Sequence, residues 1–120
     1  VTFDRGVLVA SRGLGFDLMG ADVSGTVLAF SNLGNYQRKH SYLTGLDQIR
    51  SVYFTCTMAL DRQETITIYE RNFNTNVYEE FCEGDGIRFR NLYWRDGNGV
   101  VWQSRQWISA DAGYIGYQRL

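Results

Sequence analysis

From Tyr36 onward the chain reads as short segments of alternating apolar and polar side chains separated by polar or glycine-containing turns, and that pattern admits few folds. In "SVYFTCTMAL" (51–60), Val52, Phe54, Cys56, Met58 and Leu60 fall on one side while Ser51, Tyr53, Thr55 and Thr57 fall on the other. A period of two is that of a strand with one buried face. "ETITIYER" follows after Asp61-Arg62-Gln63, and "NTNVYEEFC", "GIRFRNLYW", "VVWQSRQW" and "GYIGYQRL" continue the rhythm. Connections this short favour antiparallel neighbours, and no helical period is sustained anywhere. The expected fold is mainly β: a single domain over 1–120 built as an antiparallel meander of six or seven strands, strongly twisted or barrel-like. The absence of proline and the presence of 13 glycines suit a sheet with glycine-mediated turns.

The first third reads differently. "VTFDRGVLVAS" predicts a tight hairpin turning at Asp4-Arg5-Gly6. "RGLGFDLMGADVSG" combines glycines with Leu14, Phe16, Leu18 and Met19, as in a loop pinned onto a core by its apolar side chains. Gly13 and Gly15 do not complete a dinucleotide fingerprint, because Leu18 stands where the third glycine is needed. No nucleotide cofactor is expected. "TVLAFSNL" fits a short helix or a strand.

Formal charge is −1, from 12 basic and 13 acidic side chains. Such a chain generates no long-range field for a nucleic acid or an anionic membrane surface. No stretch approaches the ~20 apolar residues of a membrane helix. The two cysteines, Cys56 and Cys82, lack CxxC and Cys/His zinc spacing, so no metal is expected. They allow either one bridge or two free buried thiols.

Nucleophilic catalysis would need a base, and His40 is the only histidine. Its neighbour Ser41 projects from the opposite face of a strand, so His40 reads as a surface residue of a basic strand. Glu70, Glu79, Glu80, Glu83 and Asp85 cluster in sequence, and a glycan-modifying enzyme could use Glu79 or Glu80. Their arginine neighbours, Arg71 and Arg88, point instead to ordinary cross-strand charge pairs. A non-enzymatic domain is expected.

"RFRNLYWRDGNGVVWQSRQW" (88–107) holds all three tryptophans among four arginines. With a loop of two or four residues, one face of this hairpin carries Ile87, Phe89, Asn91, Tyr93, Val100, Trp102, Ser104 and Gln106. The other carries Arg88, Arg90, Leu92, Trp94, Val101, Gln103, Arg105 and Trp107. A three-residue loop with a bulge would instead set Trp94 beside Trp102. Unpaired arginines cannot share a dry face, so the first face is expected to be core, anchored by Trp102. Trp94 and Trp107 are then the wetter pair. Either guanidiniums stack on their indoles and shield them, or Arg90, Trp94, Gln103, Arg105 and Trp107 form a surface that binds a glycan or a protein partner.

Two segments resemble a known family. "VTFDRGVLVASRGLGFDLMGAD" contains a strand followed by a Gly-Leu-Gly-x-Asp-Leu loop at Gly13, Leu14, Gly15, Asp17 and Leu18. "FRNLYWRDGNGVVWQSRQWIS" carries Asn91, Tyr93, Trp94, Asp96, Gly99, Val101, Trp102, Ser104, Gln106 and Trp107. Together they are similar to the YjbF/GfcB family of bacterial capsule and exopolysaccharide lipoproteins. Members often have proline shortly after the Gln-Trp element, where this chain has Ser109 and Ala110. The resemblance implies a mostly β protein with no established catalytic residues. It implies a periplasmic location, anchored to the outer membrane in the full-length protein, and a role in polysaccharide export through contact with glycan or with other envelope export proteins. A structural protein-interaction module is the alternative. It also implies that 1–120 is a fragment or processed part of a longer lipoprotein, and that Cys56 and Cys82 are joined in an oxidising compartment.

Overall fold

The structure is a computed structural model that describes residues 2–4, 6–10, 18–22, 24–43, 48–110 and 113–119. Seven strands form one antiparallel meander, each hydrogen-bonded to the next in sequence: β3 (Leu18–Asp22), β4 (Asn35–Leu43), β5 (Ile49–Ile68), β6 (Arg71–Gly84), β7 (Ile87–Arg95), β8 (Val101–Ser109) and β9 (Gly113–Gln118). The two end strands are not paired with each other, so the sheet is curled but not closed. A separate hairpin, β1 (Thr2–Asp4) and β2 (Val7–Ala10), turns at the expected position. "TVLAFSNL" supplies most of a short helix, α1 (Ser24–Ala29). Of the glycine-containing segment expected as a loop over 12–25, residues 12–17 lie outside the described residues, while 18–22 form β3 and 24–25 open α1.

One face of the sheet is the main core. Even-numbered residues of β4 and the first half of β5, even-numbered residues of the second half of β6, and odd-numbered residues of β7 point into it. They bury Tyr42, Phe54, Cys56, Met58, Cys82, Phe89 and Tyr93. Ala29 and Phe30, from α1 and the turn that follows it, cover one end of this face, with Val7 of the small hairpin beside them. Gly6 has φ +84, and a Cβ there would lie 2.4 Å from the Val101 Cβ. Only glycine allows the hairpin to approach β8 this closely. The Gly6 carbonyl accepts a hydrogen bond from Gln106 Nε2 at 2.8 Å.

"SVYFTCTMAL" and "ETITIYER" were expected to be neighbouring strands joined by a turn at Asp61-Arg62-Gln63. They instead run together as the 20-residue β5. Leu60 pairs with Tyr78 and Arg62 with Val77, so Asp61 is the extra residue of a bulge. One inserted residue reverses the faces of everything beyond it. Ile66 and Ile68 therefore point to the other side of the sheet, where they pack with Val77, Trp94, Phe73, Leu92 and Trp102 in a second apolar cluster. The turn comes later, at Tyr69 and Glu70, both with positive φ (48° and 63°). Two left-handed residues make a tight hairpin of the right twist, and neither being glycine or asparagine hides it from sequence inspection. The next hairpin, β6 to β7, uses the expected chemistry, with Asp85 at φ 50° and Gly86 at φ 74°.

Candidate functional site

Arg90, Gln103 and Arg105 lie on the solvent side of the sheet, as the alternation predicts. Leu92 pairs with Arg105 and Trp94 with Gln103, which puts those four residues on one face with Arg90 and Arg88. Arg90 grips Glu79 with two hydrogen bonds, Nε to Oε1 at 3.1 Å and Nη2 to Oε2 at 2.8 Å. Arg88 pairs with Glu83 at 3.2 Å. The Arg105 guanidinium lies 4.0 Å from the centre of the Tyr114 ring, and Gln118 donates to Gln103 at 2.9 Å. Beside Arg105 and Gln103 runs an open groove of about 560 Å³ lined by Trp94, Gln103, Ser104, Arg105, Gly116, Tyr117 and Gln118.

The tryptophans depart from expectation. Trp107 is not on this surface. It is 7% exposed and sits in the main core, stacked on Phe89 at 4.5 Å. The cause is Asn91, whose side-chain Oδ1 accepts the Trp107 backbone N–H at 2.8 Å. A side chain occupies the place of a ladder partner, the β7–β8 pairing ends at Arg105, and the alternation fails: Gln106, Trp107, Ile108 and Ser109 are all buried. Trp94 is on the predicted face but also only 7% exposed, and its Nε1–H donates to Glu64 Oε2 at 2.6 Å. Trp102, expected as the core anchor, is carried by a bulge at Trp94/Arg95 into the Trp94 cluster. It stacks on Phe73 at 4.0 Å, while Val101 turns into the main core in its place.

His40 was expected at the surface and is fully buried, because β4 turns Arg38, His40 and Tyr42 inward together. It packs against Phe54, Phe89 and Trp107, and its Nδ1 lies 3.1 Å from the Tyr42 hydroxyl. Burial, reinforced by the nearby Arg38 charge, drives its pKa well below the ordinary value. The neutral form is therefore native. As pH falls below ~6.5 the unfolded chain takes up a proton that the folded chain refuses, so stability falls with pH. Between pH 7 and 5.5 this group is expected to remove about 1 kcal/mol. Urea unfolding at the two pH values should show the loss in the native chain and its absence in His40→Phe. An equal loss in both would assign it elsewhere.

The two glutamates weighed as catalytic groups have different fates. Glu79 is the partner of Arg90 at the surface. Glu80 is fully buried on the core face and receives hydrogen bonds from five side chains. Its Oε1 accepts from Arg38 Nη1 at 2.6 Å, Asn91 Nδ2 at 2.8 Å and the Tyr93 hydroxyl at 2.8 Å. Its Oε2 accepts from Thr26 Oγ1 at 2.6 Å and from the Tyr36 hydroxyl. Burial alone would raise its pKa, but the Arg38 charge and the converging donors outweigh that and hold it below the usual range. Among the described residues Glu80 is thus fully enclosed, with both carboxylate oxygens committed to donors of the core. Cys56 and Cys82 face each other across β5 and β6 and are joined by a disulfide. With Glu80 they are the grouping of potential metal ligands found among the described residues. Both sulfurs are already bonded to each other, and the carboxylate is committed to its donors.

A family model described as "Group 4 capsule polysaccharide lipoprotein gfcB, YjbF" matches residues 1–120. Among solved structures, the hypothetical lipoprotein YmcC from Escherichia coli (K12) superposes with a TM-score of 0.75 at 24% identity. The match covers 97% of this chain and 67% of that one. At that identity the likeness speaks to the fold alone. No curated protein sequence matches.

Proposed function

Since the chain belongs to the YjbF family of group 4 capsule polysaccharide lipoproteins, we propose that it is a non-enzymatic domain of the bacterial envelope that assists export or assembly of surface polysaccharide by contacting the glycan. The full-length protein works in the periplasm, held to the outer membrane by a lipid anchor. The observation that carries the glycan contact is the groove on the solvent face. There Arg105, backed by Tyr114, and Gln103 line the groove with Trp94. Guanidinium and carboxamide donors suit the carboxylates and hydroxyls of an acidic sugar chain. Trp107 takes no part in this surface, and Trp94, 7% exposed, contributes only a small part of its ring.

Tetragalacturonic acid, titrated while tryptophan fluorescence is followed, is expected to bind with an affinity that drops as salt is raised, because the contact is exposed and charged. Arg90→Ala/Arg105→Ala should weaken it at least tenfold. Equal affinity in the native and doubly substituted chains would remove this face from consideration. Tyr53 (60% exposed) and Phe81 (38%) lie on the same side of the sheet and favour a second reading, a face that docks another envelope export protein. That reading expects no glycan affinity and capture of a protein partner that Phe81→Ala abolishes.

A further inference from the structure

Beyond the bulge at Asp61, the β5–β6 hairpin extends past its neighbours: β4 pairs no farther than Thr57, and β7 reaches only Asn76. This distal ribbon has one apolar face, held by Ile66, Ile68 and the Phe73–Trp102 stack. Its other face consists of three directly opposed pairs, Gln63 with Asn76, Thr65 with Asn74 and Thr67 with Asn72. Five of these six side chains are exposed and Asn76 is half-buried. None is charged or apolar.

We infer that this ladder is a second glycan site, specific for neutral, hydroxyl-rich sugar chains, which rests on reading the protein as one that handles polysaccharide. Thr65 and Thr67 donate to the Oδ1 atoms of Asn74 and Asn72 at 2.9 and 2.8 Å. Each of those bonds fixes a carboxamide by its oxygen and leaves the two hydrogens of its amino group as donors, while the threonine oxygens keep acceptor capacity. Rungs on one face of a strand pair are about 7 Å apart, so three rungs extend over about 14 Å, the scale of a short oligosaccharide rather than one ring. Beside the ladder lies a groove of about 450 Å³ bounded by Glu64, Thr75 and, across from the ribbon, Gly97 of the β7–β8 turn. Sugar hydroxyls both donate and accept, and this surface offers both functions in a fixed array. The ladder itself has no cation for a phosphate or carboxylate and no ring for an apolar ligand. The tryptophans and apolar residues that back the ribbon hold the array in place before any ligand arrives, which lowers the ordering cost of binding.

The test follows the side-chain amide signals of Gln63, Asn72, Asn74 and Asn76 by nitrogen-15 NMR during titration with maltoheptaose, cellohexaose, chitohexaose and a galactan hexamer. At least one of these neutral sugars is expected to produce saturable shifts at those amides. The shifts should be insensitive to salt raised about tenfold, since no charge is paired. Asn72→Ala/Asn74→Ala, shown to be folded by its backbone amide spectrum, should weaken binding at least tenfold, and Thr65→Val/Thr67→Val should do so by releasing the carboxamides. No saturable shift with any of the four sugars overturns the inference, as does unchanged affinity in both variants. Ladder binding that survives when Arg90→Ala/Arg105→Ala has no effect on tetragalacturonic acid refutes the acidic-glycan face alone. Acidic-glycan binding without ladder shifts refutes the ladder alone.

Discussion

Replacing Glu80 with alanine is expected to cost about 3 to 5 kcal/mol of folding stability, because it strands the Arg38 guanidinium in a core where the described residues supply no other acid. The Arg38 and Glu80 side chains are 1% and 0% exposed. The loss is a large share of the ~5 to 15 kcal/mol that keeps a domain of this size folded. Thr26, Tyr36, Asn91 and Tyr93 would lose their common acceptor at the same time, so the damage extends from α1 through β4 to β7. Arg38→Met should be comparably harmful, since it leaves the carboxylate buried without its cation. Arg38→Met/Glu80→Leu should be much less harmful than the sum of the single changes, because the two groups then leave the core together. Urea unfolding of the three variants measures the coupling, and additive losses would sink the idea that the pair acts as a unit.

The same pair predicts a pH response. Glu80 titrates below its ordinary value in the folded chain, so its contribution is fully present above the unfolded value of ~4.3 and is lost as pH falls through the folded one. Arg38 is shifted upward and keeps its charge at any pH the fold meets. Acid unfolding should therefore come in two windows, a shallow one below ~6.5 from His40 and a steeper one below ~4.3 in which Glu80 takes part.

The strands themselves were legible where, as in the first half of β5 and in β6 and β7, a run of period-two alternation is long enough to mark a buried face, whereas β4 turns Arg38 and His40 inward and carries no such apolar mark. What alternation cannot reveal is an extra residue. Asp61 and Trp102 each sit at a bulge that reverses the faces beyond it, and nothing in "LDRQ" or "VVWQ" distinguishes a bulge from a continuing strand. Those two shifts decide that Ile66 and Ile68 leave the main core and that Trp102 joins Trp94. Trp107 was misplaced for a related reason, since Asn91 intrudes on the backbone ladder from 16 residues away. Glu80 did leave a signal. It shares parity with Tyr78 and Cys82, as Asn91 does with Phe89 and Tyr93, and a carboxylate at a core position demands a buried cation. Arg38, between Tyr36 and His40, satisfies that demand from 42 residues away.

Reducing the Cys56–Cys82 disulfide is the second large effect expected, a loss of about 3 to 4 kcal/mol. The bridge closes a loop of 26 residues, and the chain-entropy relation gives that value for the freedom the unfolded chain regains. Both cysteines are completely buried in the cluster of Phe54, Phe89 and Trp107. The reduced sulfurs would remain packed there as small apolar groups, so the native structure should survive reduction with its contacts intact. The destabilisation then resides in the unfolded ensemble, and the urea midpoint should fall by about 2 M without a change of native spectrum. Cys56→Ala/Cys82→Ala should fall slightly further, because it also leaves a small cavity beside Glu80. The loop that is freed contains the whole distal ribbon, from the bulge at Asp61 through the turn at Tyr69 to the Asn76 rung. Oxidation therefore shortens the search by which β5 and β6 find a register that a one-residue slip would invert. Refolding in oxidising buffer is expected to restore the tryptophan environment faster than refolding in reducing buffer. Equal stability in the two buffers would mean that the sheet, and not the bridge, supplies that constraint.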